Sequence, residues 1–343
     1  MKQNFKKMLL VSMVVGAFFF AFTLSACEQT TDTETEGANG EPQVQQVFQI
    51  GFVQPVEHPA FTEVLEGFLA EMEVQGYVEG EHFELDFQNA QGDNATLSTI
   101  ADRFVAQDKD LILSLGTGAT QTMRAKTDTM PILGAAITSF TAADLVDSNE
   151  APGGNVTGTS DMAPTAKQAE LLLELIPDAE TVGFIYNSGE ANSVEGVNLM
   201  REELEGRGIA TREATVTGTG DVQQAMTSLI REVDVIYTPT DNTVASAMAM
   251  VGSMSVESGV PVIPGASTMV EEGGLATAGV NYYELGRVTA MMAIDLLHGA
   301  DPATTPVRVM TEESDIFING DVADALGINI PAHLAEAVTR ASE

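Results

Sequence analysis

The feature that most constrains this chain is a strand–helix alternation that runs once, stops and starts again. Residues 47–53 (VFQIGFV) are a short apolar run rich in β-formers. Residues 61–75 carry apolar side chains at 61, 64, 65, 68, 69 and 72, a helical face that Gly76 ends. Residues 82–88 alternate as a strand, 95–107 read as helix, 110–115 (DLILSL) as a buried strand, 119–126 as a short helix and 131–137 as another strand. Residues 182–186 (VGFIY) then mirror 50–53, 197–206 mirror the first helix, 234–238 (DVIYT) mirror 110–114, and 260–263 mirror 130–133. Strands alternating with helices predict an α/β fold of doubly wound parallel sheets. The restart predicts two such halves, a duplication whose period is too long for a solenoid.

The N-terminus is excluded from that reading. Lys2, Lys6 and Lys7 precede an apolar run over residues 8–22, then Leu24-Ser25-Ala26-Cys27. This is the pattern of a signal peptide over 1–26. Leu-Ser-Ala-Cys resembles a lipobox, which makes Cys27 the lipidated mature N-terminus; an uncleaved membrane anchor is the alternative. Residues 28–46 are acidic and aperiodic and are expected to form a disordered tether, about 25 Å long as a random coil. Lipidation implies an extracellular protein held to the cell membrane.

Cys27 is the only cysteine, so neither a disulfide framework nor a thiolate metal site is expected. The four histidines are far apart in the sequence, and no metal or other cofactor is expected. A net charge of −35 with 15 basic residues excludes nucleic acid as a partner, since phosphate contacts need Lys/Arg clusters. The acidity fits a surface adapted to high salt or alkaline surroundings, or simply a solvated one. A monomer is expected.

In a two-lobed α/β protein the ligand sits where the strand C-termini of both halves face each other. The segments following the strands are polar and small in both halves. In the first they are Gln54-Pro55-Val56-Glu57-His58, Gly116-Thr117-Gly118 and Thr138-Ser139. In the second they are residues 187–193 (NSGEANS), Thr240-Asp241-Asn242 and Gly265-Ala266-Ser267.

At these residues the chain resembles the ABC-transporter substrate-binding family that includes tryptophan- and tyrosine-binding lipoproteins, with a type I periplasmic-binding-protein fold. The matching stretches are Glu57-His58-Pro59-Ala60, residues 89–93 (NAQGD), residues 152–158 (PGGNVTG) with Ser160-Asp161, Tyr186-Asn187 with Glu190 and Asn192-Ser193, residues 239–242 (PTDN), and residues 282–286 (YYELG). The resemblance spans roughly residues 47–330. It implies two lobes joined by a three-stranded hinge: residues 47–158 with about 283–308, and residues 159–282 with about 309–343. It also implies a permease partner. The family often carries Asp before Tyr-Tyr; here Asn281 stands among the candidate contacts.

The family's ligand class directs the site chemistry. An amino-acid carboxylate seeks N–H groups and hydroxyls at a helix N-terminus, and Gly116-Thr117-Gly118 lies between a strand and a helix. The ammonium seeks a shielded carboxylate: Asp161, Glu190 or Asp241, with Glu57 a fourth. Asp241 equally suits the N-cap of a helix starting near Thr243. Gln54, Thr138, Asn187, Asn192, Ser193 and Asn242 are neutral hydrogen-bonders able to orient a ligand; His58 is a further candidate contact, with positioning of its loop as the alternative. Phe61, Phe140, Tyr186, Tyr282 and Tyr283 are the candidate walls for an aromatic side chain.

These features point to a binding module for an importer that captures a small ligand, an amino acid and possibly an aromatic one. A sugar is the rival ligand, disfavoured by the absence of tryptophan. A ligand-presenting sensor subunit is the rival role. An enzyme would need a base, nucleophile or cofactor at the strand ends, where hydrogen-bonders stand instead.

Overall fold

The structure is a computed structural model that describes residues 47–340. The expected signal peptide, Cys27 and the tether lie outside the described residues. Among the described residues no helix is long and apolar enough to cross a membrane.

The first run comprises β1 (Phe48–Gln54), α1 (Pro59–Val74), β2 (Phe83–Asn89), α2 (Asn94–Ala106), β3 (Leu111–Leu115), α3 (Thr117–Arg124), β4 (Ile132–Ala135) and β5 (Val156–Ser160). The second comprises α4 (Thr165–Leu175), β6 (Thr181–Asn187), α5 (Ala191–Gly206), β7 (Ala210–Val216), α6 (Thr219–Leu229), β8 (Val235–Thr238), α7 (Asn242–Ala245), α8 (Met248–Ser258), β9 (Val262–Pro264), α9 (Ser267–Glu271) and β10 (Ala276–Gly279). Then follow α10 (Tyr282–Leu297), β11 (Arg308–Val309), β12 (Asp315–Asn319), α11 (Gly320–Leu326) and β13 (Val338–Thr339).

The duplication seen in the sequence is a duplication of strand order. One sheet runs β11-β5-β4-β3-β1-β2 and the other β7-β6-β8-β9, so each half places its second strand outside its first and continues with its third and fourth. All pairings in both sheets are parallel. A third, mixed sheet of β10, β12 and β13 completes the second half. Parallel strands are covered on both faces and read as continuous apolar runs; β3 (LILSL) and β4 (ILGA) are buried along their whole length. The doubly wound α/β class expected from the alternation is the one found.

The chain passes between halves after β5, before α10 and after β11. α10 packs along α1 at a spacing that glycine sets. A Cβ on Gly67 would lie 2.0 Å from the Tyr283 carbonyl oxygen, and one on Gly286 would lie 2.2 Å from that of Val64. Beside this contact the Arg287 Nε donates to the buried Glu71 carboxylate at 2.9 Å. Neighbouring hydrogen bonds, first from Gln75 and then from Arg287, hold that carboxyl below its usual range. The backbones therefore meet without an intervening side-chain layer, and Tyr282, the first residue of α10, is fixed relative to α1.

Candidate functional site

In sheets of this strand order a crevice opens between the first and third strands, at their C-terminal ends. In both halves those ends face one another across a cavity lined by both. His58, Ala60, Phe61, Thr117, Ala136 and Thr138 line it from the first half, with Asp161 and Tyr282 at the crossings. Asn192, Thr240, Asp241, Asn242, Ala245, Ala266, Thr268 and Met269 line it from the second.

The central acid is Asp161, just past the end of β5 and buried. The Tyr282 hydroxyl donates to its Oδ2 at 2.9 Å and the Thr138 hydroxyl to its Oδ1 at 3.3 Å. Thr138 and Thr240 hydroxyls lie 3.0 Å apart, a direct bond between the halves. Because Thr138 gives its proton to the carboxylate, Thr240 donates to Thr138. Burial pushes the Asp161 carboxyl up, and the two hydroxyls offset only part of that shift. A carboxylate offers about four lone-pair sites; with one hydroxyl on each oxygen, Asp161 retains room for a cationic donor.

Further along the same sheet, Gly116 turns the chain from β3 into α3 with φ of +77°. A Cβ there would lie 2.9 Å from Phe61 Cζ. The following hydroxyl, Thr117 Oγ1, is buried and has no hydrogen-bond partner. The first N–H groups of a helix have no partner within it and carry its positive pole. An unused hydroxyl and the start of α3 thus face the same cavity as a buried carboxylate. Ala136, also in the wall, holds a left-handed φ of +54°.

A second bond between the halves joins His58 Nε2 to Asn242 Oδ1 at 3.1 Å. Burial, partly offset by that bond, lowers His58 to about 4, so its ring is neutral at physiological pH. Its ring lies 3.9 Å from that of Phe61, centroid to centroid.

Of the residues singled out in the sequence, the cavity brings together His58, Thr117, Thr138, Asp161, Asn192, Asp241 and Asn242. Asp241 lines the wall but is committed to the protein. It caps α7, accepting from Val244 N at 2.7 Å, and also accepts from Asn187 N at 2.6 Å. Burial and then the charge of Glu190 push its carboxyl up. Asn192 donates to the Thr240 carbonyl at 2.8 Å, holding the loop after β8.

The other candidates lie elsewhere, for local reasons. Glu190 is saturated by protein donors: Asn242 N and Nδ2 at 3.0 and 2.6 Å, Thr243 N and Oγ1 at 3.1 and 2.7 Å. It has no lone pair left for an ammonium. Asn187 closes the turn after β6, accepting from Gly189 N at 2.9 Å, and Ser193 is buried behind the wall. Gly118, Asn187 and Glu190 border a wider open depression instead. Glu57 is exposed. Gln54 is buried at the end of β1, where its carbonyl accepts from Ala90 N. Asn281 is exposed and caps α10, accepting from Glu284 N at 2.9 Å. Among the candidate aromatic walls, Phe61 and Tyr282 line the cavity; Phe140 is in the core and Tyr283 is partly exposed. Thr268 and Met269 were not singled out, and Thr240 was named only as part of its polar loop. The polar loops after β8 and β9 carried the available signal.

Comparison with known proteins gives this geometry its context. The family model described as ABC transporter substrate binding protein matches residues 49–341. A Tyrosine-binding protein of Clostridioides difficile is 34% identical over 317 residues, 92% of each chain. The crystal structure of an ABC domain in complex with L-Trp from Streptococcus pneumonia superposes with a TM-score of 0.83 at 34% identity, covering 86% of this chain and 99% of that one. A ligand-free, open structure of a substrate binding protein with adhesive properties from Clostridium difficile has 39% identity and the same coverage, yet a TM-score of 0.66. The chain superposes better on the tryptophan complex than on the open form, although sequence identity ranks the two the other way. By its matched length, its relatives and its two parallel-sheet halves around one cavity, the chain belongs to the ABC transporter substrate-binding protein family and has the type I periplasmic-binding fold.

Proposed function

We propose that this protein is a lipid-anchored extracellular lipoprotein that captures an α-amino acid, an aromatic one, between its lobes and delivers it to the permease of an ABC importer. The lobes are about residues 47–158 with 283–308, and 159–282 with 309–343. Cys27 carries the lipid and residues 28–46 are the tether. The protein acts as a monomer and leaves its ligand chemically unchanged.

The observation that carries this reading is the pairing of opposite needs across one cavity. Asp161, buried and incompletely satisfied, meets the ammonium; the Thr117 hydroxyl and the start of α3 meet the carboxylate. Phe61, Tyr282, Met269 and four alanines supply apolar wall for a side chain. His58, Thr138, Asn192 and Asn242 bind or frame the ligand from both lobes. Closure follows from the same contacts: the His58–Asn242 and Thr138–Thr240 bonds form only when the halves meet, so a ligand bridging both shifts the population towards the closed form. The tyrosine- and tryptophan-associated relatives support the ligand class.

A thermal-shift panel of amino acids and sugars tests it. Ligand at about a thousand times its Kd stabilises by about 4 kcal/mol, and each kcal/mol moves the Tm of a chain this size by roughly 2–4 °C. Aromatic amino acids should raise the Tm plainly; a shift with sugars alone would refute the assignment.

A further inference from the structure

The hydrogen bonds around His58 determine which of its nitrogens carries the proton. Glu190 Oε2 accepts from both the backbone N and the side-chain Nδ2 of Asn242, at 3.0 and 2.6 Å. A carboxylate only accepts, so the amide nitrogen of Asn242 faces Glu190 and its oxygen faces the other way. That oxygen lies 3.1 Å from His58 Nε2. An amide oxygen also only accepts, so Nε2 bears the hydrogen. A neutral imidazole has one ring proton; Nδ1 is therefore a bare lone pair.

His58 Nδ1 is buried and has no hydrogen-bond partner in the protein. Leaving an acceptor in that state is costly unless a ligand supplies the donor. The ring stands in the cavity wall with its face against Phe61. Under the proposed function, Asp161 and Thr117 serve the ligand's ammonium and carboxylate. The lone pair of His58 remains for the ligand's side chain.

We propose that His58 is the specificity-determining residue of the pocket, accepting a hydrogen bond from an N–H or O–H on the aromatic ring of the ligand and so favouring ring-donor amino acids over phenylalanine. This rests on the amino-acid reading above. Both ligands associated with the relatives, tyrosine and tryptophan, carry such a donor, an O–H and an N–H respectively. Glu190, which cannot contact an ammonium, acquires a role two bonds away: it orients Asn242, which sets the tautomer of His58.

Isothermal titration of the full chain with tyrosine, tryptophan and phenylalanine tests the proposal without any variant. Tyrosine or tryptophan should bind about 10- to 100-fold more tightly than phenylalanine, the usual penalty for leaving a site's polar group unpaired. In His58→Phe the preferred ligand should fall to about the affinity of phenylalanine, whose own binding should stay within about three-fold. A merely structural role would lower all three together. Nitrogen NMR of the imidazole should show the proton on Nε2. Equal affinity for phenylalanine in the natural protein, a uniform loss in the variant, or a proton on Nδ1 would each overturn the proposal and leave the amino-acid reading standing. If none of the three amino acids binds, both fall together.

Discussion

The hydroxyl of Tyr282 donates to Asp161 Oδ2 at 2.9 Å across 121 residues of sequence. This contact ties the first residue of α10, itself fixed against α1, to the carboxylate just beyond β5, where the chain first passes between halves. The candidate anion is thus held by the same elements that connect the lobes. Asp161→Asn keeps the shape and one acceptor but removes the charge. Titration should show amino-acid affinity lowered by at least about 100-fold, as expected when one partner of a buried charge pair is lost. Tyr282→Phe should cost about 10-fold.

The same carboxylate sets a pH dependence of binding. Ammonium recognition requires Asp161 ionised, so affinity is present above its pKa and lost as pH falls through it. Because burial raises that pKa, the loss should begin at higher pH than for a solvated aspartate. Affinity measured from neutral to acidic pH should show this fall in the natural protein and a flat profile in Asp161→Asn.

His58 affects stability rather than charge recognition. Its folded pKa is lowered to about 4 while an unfolded histidine titrates at about 6.5, so the unfolded state binds more protons between these values. The stability it allows is complete above about pH 6.5 and is lost as pH falls towards 4, amounting to about 3 kcal/mol. Chemical denaturation at about pH 7 and pH 4.5 should show a smaller acid loss in His58→Phe than in the natural chain.

Glu63 has the opposite sign. It lies on α1, where burial first, then Glu271 of α9 and Glu66, raise its carboxyl to about 7. The folded state holds its proton more tightly, so stability falls as pH rises from about 4.5 to 7. Glu63→Gln should raise the Tm by a few degrees at about pH 8 and leave it unchanged near pH 4.5.

Gly116 turns the chain beside the cavity and leaves no room for a side chain. Alanine would have to hold a φ of +77° with a ψ of 156°, at a cost of about 1–3 kcal/mol, and its methyl would meet Phe61. Gly116→Ala should lower both the Tm and ligand affinity, whereas Gly118→Ala, with open space around its Cβ, should leave the fold intact.

The sequence disclosed most where burial writes a simple code. Fully covered strands such as β3 and β6 stand out as apolar runs, and α1 as a stripe. β7 (ATREATV) escaped because it is a sheet edge, exposed along most of its length and carrying charge like a loop. At the site, polar residues at strand ends were readable, but what each one faces was not. Asn281 has the side chain of a ligand contact and serves as a helix cap, whereas for Asp241 the sequence left ligand contact and cap open and the cap is what forms. Glu190 is consumed by five donors, two of them on Asn242, that only the folded loops bring together. The partnership of Asp161 with Tyr282 and the tautomer of His58 depend on contacts across 121 and 184 residues, and no local pattern encodes them.

Calorimetric titration of the protein with aromatic amino acids, beside a sugar panel, tests the central claim most directly. Saturable binding of tyrosine or tryptophan, weakened at least about 100-fold in Asp161→Asn and absent for every sugar, is the predicted result. Heat from a sugar with none from any amino acid, or unchanged amino-acid binding in Asp161→Asn, would contradict it.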